Sequence, residues 1–121
     1  MIQEQHWLLC DRILITDEQG HGSVMVDIQK KDGRLTDDAL IWSLCVDKPY
    51  RRQGVATRLL EAAEREAQKR GCVTASLEWD KREAERFAFN FYVRQGYNEK
   101  MFGRYGSLLV KQLNNEKTNE L

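Results

Sequence analysis

The 121-residue chain carries 19 Lys plus Arg against 19 Asp plus Glu, a net charge of zero, with 41% apolar residues. That length makes one domain, able to bury about two-thirds of its unfolded surface in a single core, and the balanced charge removes the global attraction that a nucleic-acid backbone requires. No apolar run approaches the roughly 20 residues of a membrane helix, no basic-then-apolar leader opens the chain, and Cys10, Cys45 and Cys72, an odd set without metal spacing, read as free thiols of a soluble cytoplasmic protein.

Residues 7–16, Trp-Leu-Leu-Cys-Asp-Arg-Ile-Leu-Ile-Thr, read as one apolar strand, followed by a turn over 17–22. From Ser23 the chain returns: Val24, Val26 and Ile28 alternate with Ser23, Met25 and Asp27, the period of a strand with one buried face. Lys31-Asp32-Gly33-Arg34 supplies the next turn, and Ala39 to Val46, apolar except for Ser43, reads as a central strand covered on both faces. Helical spacing takes over from Gln53 to Lys69, where Val55, Leu59, Leu60, Ala63 and Ala67 share a face. Cys72 to Trp79 is the next strand, so strand, helix and strand form a parallel βαβ unit. A second helix runs from about Arg82 to Gln95, stopped by Gly96, and a hairpin turning over 103–106 fills Tyr97 to Leu113. Residues 114–121 are polar and read as a tail outside the 1–113 domain. The expected order is β-β-β-α-β-α-β-β, a mixed sheet of the α/β class.

One junction carries chemistry. Between the central strand and the first helix stands Tyr50-Arg51-Arg52-Gln53-Gly54-Val55-Ala56-Thr57. A helix N-terminus leaves backbone N–H groups without partners and carries partial positive charge, so it offers an anion ready-made donors. Gly54 lets a ligand approach the backbone, and two arginines precede it, within reach of phosphate oxygens. A pyrophosphate-bearing ligand fits. A Gly-x-x-x-x-Gly-Lys-Ser/Thr loop is absent and no magnesium ligand follows Gly54, which excludes the usual NTPase arrangement. His6 and His21 have no ligand spacing to each other, so no metal is expected.

With these elements placed, the chain from Ala39 to Leu113 resembles the GNAT superfamily of acyl-CoA-dependent N-acetyltransferases. Three segments carry the resemblance: the strand 40–46 running into Arg51-Arg52-Gln53-Gly54-Val55-Ala56, similar to the family's Arg/Gln-x-x-Gly-x-Gly/Ala loop; the strand segment Leu77-Glu78-Trp79; and 88–97, similar to its Ala-x-x-Phe-Tyr-x-x-x-Gly-Phe/Tyr block. The resemblance implies that acetyl-CoA lies between two splayed parallel strands. Leu44 and Val46 would then offer backbone contacts to pantetheine, while Arg51, Arg52, Gln53, Gly54, Ala56 and Thr57 would cradle the pyrophosphate. Two departures stand out. The family opens with a strand and two helices that wall the acceptor site, whereas the stretch before Ala39 reads as two strands here, so these N-terminal helices are reduced or absent. That opening suits a peptide or protein amine, or a site completed by a second subunit of a homodimer. Many members also carry an asparagine two helical turns before the tyrosine, where this chain has Glu85; Asn90 is the alternative contact to pantetheine.

Amine acetylation needs a proton acceptor for the attacking nitrogen and a donor for the departing thiolate. By the resemblance, Tyr92 is the donor. As proton acceptor, Glu78 sits near the carboxyl end of its strand in a Leu-Glu-Trp similar to the Leu-Glu-Val of ribosomal-protein alanine acetyltransferases, with Asp80 and Asp47 as rivals. Cys45 invites a covalent acyl-enzyme, but no histidine near it in sequence offers activation, and cysteine sits in apolar strands as a small hydrophobe. The reading is an acetyl-CoA-dependent N-acetyltransferase working by direct transfer. Its alternative is a non-catalytic acyl-CoA-binding module acting through a protein partner.

Overall fold

The computed structural model describes residues 1–80 and 87–113. Strands β1 (Ile2–His6), β2 (Cys10–Thr16), β3 (Gly22–Lys31) and β4 (Arg34–Val46) precede helix α1 (Val55–Lys69), then come β5 (Thr74–Asp80), α2 (Phe87–Arg94), β6 (Asn98–Phe102) and β7 (Gly106–Gln112). All seven strands join one sheet in the order β1-β2-β3-β4-β5-β7-β6. The α/β class and the central parallel β4-α1-β5 unit agree with the sequence reading, and no helix precedes β4 among the described residues. The expected helix start at Arg82, Glu85, and residues 114–121 lie outside the described residues.

Two strand assignments need correction. The apolar run Trp7-Leu8-Leu9 is a hairpin tip, closed by Trp7 N–H donating to the Cys10 carbonyl at 2.8 Å, with Leu8 82% exposed. The strand starts at Cys10, and an extra edge strand, Ile2–His6, lies before it. Every residue of β1 is exposed, so its sequence has no apolar alternation to betray it. The second correction concerns β4, which among the described residues is covered on one face only. Ile13, Val26 and Ile41 stand in register across β2, β3 and β4 and are buried with α1 residues Leu59, Leu60 and Ala63. Helix α2 packs on the same side, where Phe89 meets Trp79 edge-on at 5.1 Å. Trp42, on the other face, is 38% exposed.

Helix α1 buries the apolar stripe expected of it and two acids besides, Glu64 and Glu66. Glu64 accepts hydrogen bonds from the Tyr97 hydroxyl at 2.9 Å and from Lys111 Nζ at 3.0 Å, tying α1 to the end of α2 and to β7. Burial first, and the Glu64 charge second, push the Tyr97 phenol far up, so it stays protonated and donates. The turn that places Tyr97 is a Schellman motif: Tyr97 N–H reaches the Tyr92 carbonyl and Gly96 N–H the Val93 carbonyl, both at 3.1 Å, with Gly96 at φ 99°.

Glu66 is held by Arg70 at 2.9 Å and Lys69 at 3.0 Å, and Arg70 also pairs with Glu4 of β1. Burial works to raise the Glu66 carboxyl, but the hydrogen bonds from Arg70 and Lys69 outweigh it and hold it below its ordinary value. A carboxyl lowered in the folded state stabilises above its unfolded pKa of about 4.3, and that stability is lost as pH falls through the folded value. Glu66→Gln should therefore lower stability at pH 7 and flatten its fall between about pH 5 and pH 3. Urea unfolding across that range checks this; an unchanged pH slope would remove Glu66 from the acid response.

Candidate functional site

Strands β4 and β5 pair only from Asp38↔Thr74 to Leu40↔Ser76 and then part. The parting has a local cause. Ser43 takes φ 54°, and between Met25↔Trp42 and Ser23↔Cys45 β4 spends one residue more than β3, a bulge that turns its last residues away from β5. A cavity of about 590 Å³ lies at the carboxyl end of β4. Its walls come from the end of β4 (Leu44, Cys45, Val46), the turn 50–57 and the α2 face Ala88, Phe91 and Tyr92.

The turn into α1 is shaped by backbone geometry. A short 3₁₀ turn, Lys48–Tyr50, led by Pro49, ends β4. Arg52 at φ 65° and Gly54 at φ 80° then fold the chain back onto the helix start, and only the glycine adopts that region without cost. No side chain caps α1, and its first backbone bond runs from Arg58 N–H to the Gly54 carbonyl at 3.0 Å. The N–H groups of Val55, Ala56 and Thr57 thus precede the first helical bond, and these residues line the cavity. Arg51 folds back, its Nε donating to the Val46 carbonyl at 3.0 Å, which straps the turn to β4. His21 stacks on Tyr50 with ring centroids 3.5 Å apart, bracing the turn from the β2–β3 connection.

Of the residues singled out from sequence, Leu44, Val46, Arg51, Arg52, Gly54, Ala56, Thr57 and Tyr92 lie around this one cavity. Three do not. Gln53 turns outward, its amide donating to the Pro49 carbonyl at 3.3 Å; Asn90 is exposed on α2; and Glu78 is exposed on the sheet face opposite α1 and α2. The Tyr92 ring packs edge-on to Phe91 at 5.5 Å and to Tyr97 at 6.3 Å. Arg94 and Tyr50 join the wall without having been singled out as ligands. Ala88 and Phe91 were legible as the α2 face shared with Tyr92, since spacings of three and four residues put side chains side by side.

The cysteines divide by environment. Burial first, with Asp38 and Asp37 adding, pushes the Cys72 thiol up to about 11, and burial likewise raises Cys10, so both remain thiols at neutral pH. Cys45 is exposed at the cavity. Among the described residues no group of His, Cys, Asp and Glu is placed to hold a metal ion, and no helix is long and apolar enough to cross a membrane.

The family model described as "Acetyltransferase (GNAT) family" matches residues 10–97, well over half of the chain. The chain belongs to the GNAT acetyltransferase family. The match starts where β2 starts and ends at Tyr97, so the cavity and both helices fall inside it. Solved GNAT-like structures share the fold. A Klebsiella pneumoniae protein assigned as an acyl-CoA N-acyltransferase is 23% identical, with 88% of this chain and 74% of that one aligned at a TM-score of 0.66. The PaiA N-acetyltransferase of Thermoplasma acidophilum, solved with coenzyme A, is 17% identical over 84% of this chain and 59% of its own, at 0.67. An acetyltransferase of Bacillus cereus is 22% identical over 93% and 74%, at 0.65. At these identities the likeness is one of fold. No curated protein matches the chain.

Proposed function

We propose that this GNAT-family chain is an N-acetyltransferase that moves an acetyl group from acetyl-CoA to a primary amine in a ternary complex. One observation carries the reading: a cavity at the end of β4 has an uncapped helix start on one wall and Tyr92 on another. The site fits the donor chemically. Uncapped N–H groups at Val55, Ala56 and Thr57, with Arg52 and Arg94 at the cavity wall, suit a pyrophosphate, and the exposed strand end at Leu44 to Val46 offers main-chain groups to pantetheine. Asn90 and Gln53, both turned from the cavity, are secondary candidates.

When bound, acetyl-CoA supplies its acetyl group: the amine nitrogen forms the new C–N bond as the C–S bond breaks, and the sulfur leaves as thiolate. The chain's own task is to move protons. Glu78 lies on the open face and Tyr92 in the cavity, on opposite sides of the gap. A carboxylate on the amine's side can take the proton the nitrogen loses, while a phenol on the thiol's side donates to the sulfur; a phenol near pKa ~10 suits a thiol near pKa ~8.5. That division serves direct transfer. The setting is a cytoplasm that keeps Cys45 reduced, with acetyl-CoA and an amine as the ligands.

The uncovered face also motivates the second reading, an acyl-CoA-binding module that acts through a partner. Calorimetric titration with acetyl-CoA, followed by a thiol-release assay across an amine panel, separates the two. Micromolar binding with amine-dependent thiol release is expected; binding without release on any amine would favour the module, and no binding would sink both.

A further inference from the structure

Strand β1 ends the sheet on its side, and among the described residues no strand pairs its outer edge. Its main chain is set for a neighbour. Thr16 N–H donates to the Met1 carbonyl at 2.9 Å, the Met1 amine to the Thr16 carbonyl at 3.0 Å, and Trp7 N–H to the Cys10 carbonyl at 2.8 Å. In the unbroken β1–β2 register the odd-numbered residues of β1 therefore bond inward, and the N–H and carbonyl groups of Ile2, Glu4 and His6 point out from the edge. Natural edges are guarded by lysine, proline or a bulge; β1 has none of the three. Both of its ends also carry bare apolar side chains. Met1 is 74% and Ile2 48% exposed at one end, and Trp7, Leu8 and Leu9 are 53%, 82% and 73% exposed at the hairpin tip beyond the other. Exposed apolar residues standing singly need no explanation, but clusters mark contact surfaces.

The chemistry of the segment Met1-Ile2-Gln3-Glu4-Gln5-His6-Trp7-Leu8-Leu9 reads nearly alike from either end about Gln5. A two-fold, isologous contact asks for that, since each residue meets the reversed order of its own segment. We infer that β1 is a homodimer interface, on which a second copy of this chain lays its own β1 antiparallel, with Gln5 opposite Gln5. Bonding across the edge needs outward groups on both strands, so even-numbered residues must face even-numbered ones, which leaves two central registers. With Glu4 opposite Glu4, like charges meet and Ile2 faces His6. With Gln5 opposite Gln5, Glu4 faces His6, and the Met1–Ile2 end of each copy lies beside the Leu8-Leu9 tip of the other. Acid then meets imidazole, amide meets amide and apolar meets apolar. Glu4 and His6 arrive ordered, held in their own copy by Arg70 and, at 2.9 Å, by Asp11. About four main-chain bonds and two apolar ends make a small contact, so the dissociation constant should be on the order of micromolar rather than nanomolar. The edge lies three strands from β4 and its cavity, so the dimer stands whether or not the cavity transfers acetyl groups.

Sedimentation equilibrium of the full chain across a wide concentration range tests this, and a reversible monomer–dimer equilibrium is expected. Leu8→Glu, at a side chain exposed in the single copy, puts a carboxylate against the apolar end of the partner and should weaken the dimer at least tenfold. His6→Pro removes an outward N–H and should weaken it as well; where circular dichroism shows that the proline variant misfolds, Leu8→Glu decides alone. The register is read by cross-linking in a Cys45→Ser background. Gln5→Cys places two thiols in a non-hydrogen-bonded pair with Cα atoms about 4.5 Å apart, inside the range a disulfide spans, so mild oxidation should trap the dimer. A chain monomeric at all concentrations would overturn the interface. So would a dimer that Leu8→Glu leaves unmoved, or one that Glu4→Cys traps faster than Gln5→Cys.

Discussion

Gly54→Glu should abolish measurable acetyl-CoA binding, a loss of at least a hundredfold, in a protein that stays folded. The residue stands at φ 80°, where any side chain costs about 1–2 kcal/mol, a tolerable sum for a domain. Among the described residues, a Cβ there would meet only Arg58 Nη1, at 3.1 Å, the far end of a side chain that can give way. The damage to binding comes from the carboxylate. Placed before the uncapped N–H groups of Val55 to Thr57 and beside the Arg58 guanidinium, it would take the position meant for a phosphate and repel any phosphate that approached. Gly54→Ala carries the backbone cost without the charge and should weaken binding only a few-fold. Calorimetry on the three proteins, with circular dichroism to confirm folding, checks the ordering. Wild-type affinity in the glutamate variant would place the pyrophosphate elsewhere.

This prediction could be written from the sequence because the turn into α1 is local. A glycine at a helix start, preceded by arginines and by an apolar strand, fixes its own geometry within a few residues. The same holds for Gly96, whose left-handed turn ends α2 and delivers Tyr97 to Glu64. Elements whose pattern depends on distant partners were harder to read. Strand β1 is an exposed edge with no alternation, and only its register with β2 makes it a strand. Trp7-Leu8-Leu9 looked like core because apolar runs usually are, yet a hairpin needs a tip and nothing local says which residues form it. The two-face burial expected of β4 failed for a related reason. Parallel central strands carry apolar runs because helices cover both faces, but here both helices lie on one side, a matter of topology rather than of β4's own residues.

The site shows the same division. Residues around Gly54 and along the Tyr92 face of α2 follow from turn chemistry and helical spacing, and they do surround one cavity. Gln53 and Asn90 were implied by the resemblance; the Gln53 amide donates to the Pro49 carbonyl and Asn90 is exposed on α2. Leu44 and Val46 turn to the helix-covered side, and Cys45 to the open one, because the bulge at Ser43 resets the alternation of β4, a deviation that no residue type announces. Arg94 could have been noticed as a cation on the last turn of α2, where it also complements the helix C-terminus.

Tyr92→Phe should lower kcat about a hundredfold while leaving acetyl-CoA affinity within about twofold, the scale of losing one well-placed proton donor. The fold should not notice the change. The ring keeps its edge contacts with Phe91 and Tyr97, and the Tyr92 backbone carbonyl still accepts from the N–H groups of Gln95 and Tyr97 at 3.0 and 3.1 Å. What disappears is the hydroxyl, the expected donor to the departing sulfur. Loss confined to kcat is the signature of an interaction made in the transition state rather than in the bound complex. A structural role for the hydroxyl would instead raise KM for acetyl-CoA or lower the melting temperature. Chemistry offers a second check within the same variant: a donor thioester with a more acidic leaving thiol needs less help to depart, so it should narrow the gap between Tyr92→Phe and the parent. Full activity of Tyr92→Phe with acetyl-CoA would mean that the thiolate leaves unaided or takes its proton from solvent, and Tyr92 would then remain only a wall of the cavity.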